Sequence, residues 1–138
     1  VNEAAKKIHQ KLKEIESSTK PTAIVWGGET TVKIKGSGLG GRNQELALIV
    51  AELAHQDPIR KSWTFLSGGT DGRDGPTEAA GAIVDQETCK RILNEGYQVY
   101  DFLAENNSNK ALKISNDLLH TGATGTNVAD VQILLVSQ

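Results

Sequence analysis

Gly36-Ser37-Gly38-Leu39-Gly40-Gly41-Arg42-Asn43-Gln44-Glu45 is the stretch on which the reading of this chain turns. Before it, Thr31-Val32-Lys33-Ile34-Lys35 alternates apolar with polar residues at the period of a strand. After it, Asn43 to Gln56 carries Leu46, Ile49, Val50, Leu53 and Ala54 on one helical face, with Leu48 and Ala51 widening the stripe. Four glycines in six positions permit φ > 0 and leave no Cβ to hold a ligand away. The segment then enters a helix N-terminus, where free N–H groups and the positive dipole end favour an anion. Arg42 brings a planar five-donor fork to the same mouth, and the polar first turn Arg42-Asn43-Gln44-Glu45 projects toward the glycines. An anion site is the first expectation.

Upstream, Val1, Ala5, Ile8, Leu12 and Ile15 form an apolar stripe on a helix crowded with Lys, Glu and Gln, which Ser17-Ser18-Thr19-Lys20-Pro21 ends. Ala23-Ile24-Val25-Trp26 reads as a buried strand. It is joined to Thr31–Lys35 by Gly27-Gly28-Glu29-Thr30, and a link so short predicts an antiparallel hairpin. That context decides a motif question. Gly36 to Gly41 matches G-x-G-x-x-G, the dinucleotide fingerprint, which needs a buried parallel strand before it and an acidic residue ending a second strand. Lys33 and Lys35 alternate outward instead, and Asp57 stands before Pro58, so a nicotinamide-nucleotide site is disfavoured.

Downstream, Trp63-Thr64-Phe65-Leu66 reads as a short central strand, parallel to its neighbour. It opens into Ser67 to Thr77, a second glycine-rich loop with Asp71 and Asp74 three apart. Two such carboxylates suit Mg²⁺, a hydroxyl or a base role, although Asp-Gly turns use aspartate for local hydrogen bonds as well. Ala79 to Val84 is small and apolar. Asp85 caps a helix with Cys89, Ile92 and Leu93 inward, and Gly96 stops it. Val99, Phe102 and Leu103 mark another helix. Ser108 starts a further one whose face holds Ala111, Leu112, Ser115, Leu118 and Leu119. His120 to Asn127 is a third loop of Gly and Thr, and Val131 to Val136 closes the chain as a strand.

The totals fit one soluble domain of 138 residues, with 38% hydrophobic and 23% charged residues. A net charge of −2 without a basic cluster disfavours nucleic acid as a partner. No apolar run reaches the roughly 20 residues of a membrane span, and no signal-peptide pattern is present. The single cysteine, Cys89, rules out an internal disulfide and reads as buried. A reducing compartment is expected, the cytoplasm, or mitochondria for an animal source. The absence of Met and a start in mid-helix at Val1-Asn2-Glu3 read as a piece of a longer protein.

Alternating strands and helices predict an α/β domain, three-layer α/β/α with a mixed, partly antiparallel sheet. If the three loops share one sheet edge, they surround a cleft lined by Gly38, Gly40, Gly41, Arg42, Thr70, Asp71, Asp74, Thr126 and Asn127. Such a cleft fits a small polar anion or a phosphoryl group.

Gly-Gly-Glu-Thr-Thr-Val (27–32), Gly-Gly-Arg-Asn-Gln-Glu-Leu-Ala (40–47), Gly-Thr-Asp-Gly-Arg-Asp-Gly-Pro-Thr (69–77) and Thr-Gly-Ala-Thr-Gly-Thr-Asn-Val-Ala-Asp (121–130) together resemble the C-terminal MOFRL domain of type II glycerate kinases. The resemblance covers residues 23–136, with 1–20 as a leading helix. It implies ATP-dependent, Mg²⁺-assisted phosphorylation of D-glycerate, at C2 in most members, by a two-domain enzyme. The larger N-terminal α/β domain of that enzyme would supply a catalytic lysine. Carried over by motif, Arg42 would hold substrate or transferred phosphate with Asn43 and Glu45 beside it, and Asp71 and Asp74 would face the same cleft. No metal-ligand set within these residues follows from it. Members have also been called hydroxypyruvate reductases, which keeps an oxidoreductase as the alternative, and a non-catalytic ligand-binding or docking module as a third. Two positions depart from the usual pattern: Asn107-Ser108-Asn109 lacks a carboxylate and an aromatic ring, and Ala123 replaces a proline.

Overall fold

Ala5, Ile8, Leu12 and Ile15 recur at helical spacing, and the computed structural model, which describes residues 1–138, buries all four on one face of α1 (Asn2–Ile15). The chain continues through β1 (Thr22–Gly27), α2 (Arg42–Gln56), β2 (Trp63–Gly69), β3 (Gly81–Asp85), α3 (Thr88–Asn94), α4 (Val99–Ala104), α5 (Ser108–Ser115), β4 (Leu118–Leu119) and β5 (Asp130–Val136). It is a mixed α/β domain built on one five-stranded sheet of order β1-β5-β2-β3-β4. No helix is long and apolar enough to cross a membrane.

Every pairing in the sheet is antiparallel, including both flanks of β2. The strand at Trp63 is central, as expected, but the parallel neighbour is a misreading. The link from β2 to β3 is a loop and not a crossover helix, and β5 enters between β1 and β2 from the opposite direction. Trp63, Phe65, Leu134, Val136, Ala82 and Val84 point to one side of the sheet. All five helices join them in a single core. The apolar area removed there is the main stabilising term, about 1.5–3 kcal/mol for each large side chain.

The other side carries Val25, Leu66, Ile83, Ile133 and Leu135, with Val25 65% exposed. These residues therefore supply one helical layer over one sheet face, and the second layer of the expected α/β/α arrangement is not furnished by this chain.

The expected hairpin does not form. Residues 28–35 run as irregular chain although Thr31 to Lys35 alternates. The reason is a side chain from far along the sequence. Asn106, in the left-handed region at φ 52, accepts from the Lys35 and Gly36 amides at 2.6 and 3.0 Å and donates to the Lys33 carbonyl at 3.2 Å. Backbone groups that a second strand would have used are taken, and Ile34 stays 74% exposed. Leu118 and Leu119 also leave their expected helix: Asn116 ends α5 in the left-handed conformation at φ 61, and the two leucines pair with β3.

Candidate functional site

The N-terminus of α2 is where the three glycine-rich loops meet. Thr70 donates its amide to the Ala129 carbonyl at 2.9 Å and its hydroxyl to the same oxygen at 2.7 Å. The Thr124 hydroxyl donates to the Thr70 carbonyl at 2.5 Å. Gly72 lies at φ +90 with the Gly122 carbonyl where a Cβ would be, so the second and third loops interlock only because that position is glycine. The second loop turns back on the first through Asp74.

Asp74 is 2% exposed, and its carboxylate is the N-cap of α2 supplied from another loop. One oxygen accepts from the Asn43 amide and the Asn43 Nδ2, both at 3.1 Å; the other accepts from the Gln44 amide at 2.9 Å and Gln44 Nε2 at 3.0 Å. The helix-terminal anion seat read from the sequence is thus filled by the protein's own carboxylate. A Cβ on Gly41 would run into that carboxylate, so the glycine makes room for Asp74 and not for a ligand. This corrects the expectation of Asp74 as a base facing the cleft: its acceptor positions are spent inside the fold. Asn43 is also committed, accepting from the Ser67 hydroxyl at 2.7 Å.

Arg42 sits beside this cap and is gripped by acid. Its Nε donates to Asp130 Oδ2 at 2.5 Å and its Nη2 to Asp130 Oδ1 at 2.9 Å, with a further bond from Nη2 to Glu29 at 3.0 Å. The fork-on-fork contact with the buried Asp130 carboxylate raises the guanidinium pKa further, so it is charged at every accessible pH. Nη1 carries no bond within the chain, and Arg42 lines a cleft of about 460 Å³. Gly38, Gly40, Gly41, Gly75 and Thr31 face the same space. Asp130 is thereby a positioning residue, and the sequence signal for it was only its place at the end of the third loop.

Glu45 is 7% exposed and turned inward, where Asn106 Nδ2 donates to its Oε1 at 3.0 Å. Burial pushes its carboxyl up, and the Asn106 bond opposes this in part. Glu45 buttresses the loop and does not line the cleft. Asn106 was read from sequence only as part of a turn that departs from a family pattern; no local signal marked it as the clasp for residues 33–36.

Asp71, Thr70, Thr126 and Asn127 lie on the rim beyond Asp74, away from the glycine-lined cleft. Asp71 is exposed, with Oδ1 accepting from the Arg73 amide at 3.0 Å, and its backbone carbonyl accepts from Thr124 at 3.4 Å. Asn127 Oδ1 accepts from the Ala129 amide at 3.1 Å, and Thr126 hydrogen-bonds with Thr124 within the loop. No group of three or more His, Cys, Asp or Glu side chains is placed to hold a metal ion. Cys89 is buried, and burial raises its thiol pKa, so it is not a nucleophile. The G-x-G-x-x-G stretch follows no strand, which removes the geometry a dinucleotide site requires.

The model of the MOFRL family matches residues 22–130. A D-glycerate 2-kinase from Thermotoga maritima is 51% identical over 118 residues, which are 85% of this chain and 27% of that protein. A human glycerate kinase is 49% identical over 120 residues, 84% of this chain and 23% of that one. The crystal structure of a glycerate kinase from Thermotoga maritima superposes with a TM-score of 0.91 at 47% identity, covering 98% of this chain and 33% of the other. The chain spans about a quarter to a third of the length of these relatives.

Proposed function

The chain belongs to the MOFRL family, and we propose that it is the C-terminal domain of a glycerate kinase that moves the γ-phosphoryl group of ATP to the C2 hydroxyl of D-glycerate. The observation that carries this reading is the cleft in which Arg42 keeps Nη1 unbonded while Asp130 and Glu29 fix the rest of its guanidinium. Phosphoryl transfer asks chiefly for positioning and for neutralisation of charge on the transferred oxygens. A guanidinium held from behind by carboxylates meets that need without reorganising during the reaction. Its task is to bind the glycerate carboxylate or the transferred phosphate.

The remaining residues divide by place. Gly38, Gly40 and Gly41 shape the wall of the cleft, while Asn43, Glu45 and Asp74 hold the start of α2 so that Arg42 points into it. Thr70, Thr126 and Asn127 stitch the rim. Asp71 is the exposed carboxylate there, and Mg²⁺ would be held mainly by the larger N-terminal domain. Mg²⁺ would supply charge neutralisation on the ATP phosphates. A larger N-terminal domain would provide the lysine and the opposite wall.

The test is one assay on the full-length protein. D-glycerate with ATP should give 2-phosphoglycerate, and hydroxypyruvate with NADH or NADPH should give no oxidation of the nucleotide. Nicotinamide turnover without phosphoryl transfer overturns the reading. The 138-residue chain alone should be inactive.

A further inference from the structure

Arg42 is the one ionisable side chain that lines the glycine-walled cleft of about 460 Å³, yet the carboxylates at its guanidinium outnumber it. Asp130, with its side chain 1% exposed, grips Nε and Nη2 with both oxygens at 2.5 and 2.9 Å. That buried fork neutralises the guanidinium and fixes its plane without help. Glu29 then accepts from Nη2 as well, at 3.0 Å, from a side chain that is 59% exposed. The chain is shaped to bring it there. Gly28 turns at φ +134, a conformation glycine adopts freely, and its amide donates to the Asp130 carbonyl at 3.3 Å. Thr30 and Thr31, the next two residues, reach the cleft wall, while Glu29 itself stays outside it. The trio of Glu29, Arg42 and Asp130 therefore carries one net negative charge beside a cleft assigned to anions.

We propose that Glu29 is a specificity-determining residue that limits how tightly the cleft holds phosphorylated ligands. Its bearing on product release rests on the kinase reading. With Nη2 spent on two carboxylates, Arg42 offers an incoming anion only the hydrogens of Nη1, and not the two-pronged fork that clasps a phosphate. The Glu29 charge also repels the ligand, and that repulsion grows with the ligand's own charge. D-glycerate carries a single negative charge, whereas 2-phosphoglycerate carries about three at pH 8. The same acid thus weakens product more than substrate, which favours release of what has been made, a step that limits turnover in many enzymes.

The experiment measures the binding of D-glycerate, inorganic phosphate and 2-phosphoglycerate, each alone, to the full-length protein by calorimetry at low salt and about pH 8, where a phosphomonoester is doubly ionised, without ATP or Mg²⁺. Glu29→Gln keeps an oxygen for Nη2 and removes only the charge. It should tighten binding about threefold for each unit of ligand charge: about threefold for glycerate, about tenfold for phosphate and about thirtyfold for 2-phosphoglycerate. Salt at about 0.5 M should flatten that gradation. Glu29→Asp, which keeps the charge and shortens the reach, should stay within about twofold of the parent for all three. Equal gains for the three ligands, weaker binding in Glu29→Gln, or Glu29→Asp behaving as Glu29→Gln overturns the proposal. No binding of any of the three to the parent or to Glu29→Gln overturns it as well, and the ATP assay then decides the kinase reading separately. Graded tightening in a protein that transfers no phosphoryl group from ATP to glycerate refutes the kinase reading and leaves anion selection by Glu29 standing. Ungraded binding in a protein that does transfer it refutes this proposal alone.

Discussion

Asp74→Ala should be among the most damaging single changes in the chain, and its cost follows from four hydrogen bonds. The carboxylate accepts from Asn43 N and Nδ2 at 3.1 Å, Gln44 N at 2.9 Å and Gln44 Nε2 at 3.0 Å. Asn43 and Gln44 are 1% and 0% exposed, so water cannot replace the lost acceptor. Loss of an N-cap costs about 0.5–2 kcal/mol, and each buried donor left unpaired adds about 1–3 kcal/mol. These terms overlap, and a working total is about 4 kcal/mol. Against a whole-domain stability of about 5–15 kcal/mol this is a large fraction. Asp74→Asn keeps the shape and one acceptor oxygen, and should cost about 2 kcal/mol. Urea unfolding of the 138-residue chain, followed by tryptophan fluorescence, measures both. Asp74→Ala within about 0.5 kcal/mol of the parent would refute the capping argument. If Asp74→Asn unfolds like the parent while the full-length enzyme loses turnover, the carboxylate does chemistry and is not a cap.

Arg42→Ala should lower kcat of the full-length enzyme by about 10³-fold and destabilise the domain by about 3 kcal/mol, because Asp130 is left buried without its partner. The double variant Arg42→Ala/Asp130→Asn should recover part of that stability but no activity, which a double-mutant cycle in urea reads directly. Glu45→Gln should raise the unfolding midpoint at pH 7. Because burial raises the Glu45 pKa in the folded state, ionisation weakens the fold above the ordinary carboxylate range. The advantage of glutamine should shrink as pH falls through the raised folded-state value toward the reference value of 4.5 and vanish below it, and urea curves at pH 7 and pH 4 test it. Asn106→Ala should free residues 33–36, seen as faster hydrogen exchange at the Lys35 and Gly36 amides with α1 and β5 unaffected.

The fold was legible wherever burial and periodicity agree. The stripe of α1, the inward face of α2, the strands at Trp63 and Val131, and the inward Cys89 and Ile92 all follow from local pattern, whereas the strand at Ala23 was placed but misread as buried: β1 is an edge strand whose residues alternate between half-buried and exposed. The hairpin failed because Thr31 to Lys35 has the pattern of a strand but no free backbone groups for one, and the residue that takes them lies about seventy positions away. The parallel neighbour of β2 failed because β5 returns from the far end of the chain to pair with it. At the site, Arg42 was legible from its place before α2, but a cleft shared by all three loops was not: Thr70, Asp71, Thr126 and Asn127 do not line the space that Arg42 and the glycines enclose. What the sequence could not separate was an aspartate that serves a ligand from one that serves a helix. Asp71 and Asp74 look alike in their Asp-Gly turns, and only burial distinguishes them.

Val25, Ile133, Leu66 and Ile83 form a continuous oily row across four strands, with no charge to interrupt it. Water wets such a surface poorly, and molecules that carry one adhere as they are concentrated. Light scattering from the 138-residue chain should therefore climb with protein concentration and climb faster in ammonium sulfate, which strengthens apolar adhesion. An Ile83→Lys or Val25→Lys change, placing one ammonium in the middle of that strip, should keep the solution clear.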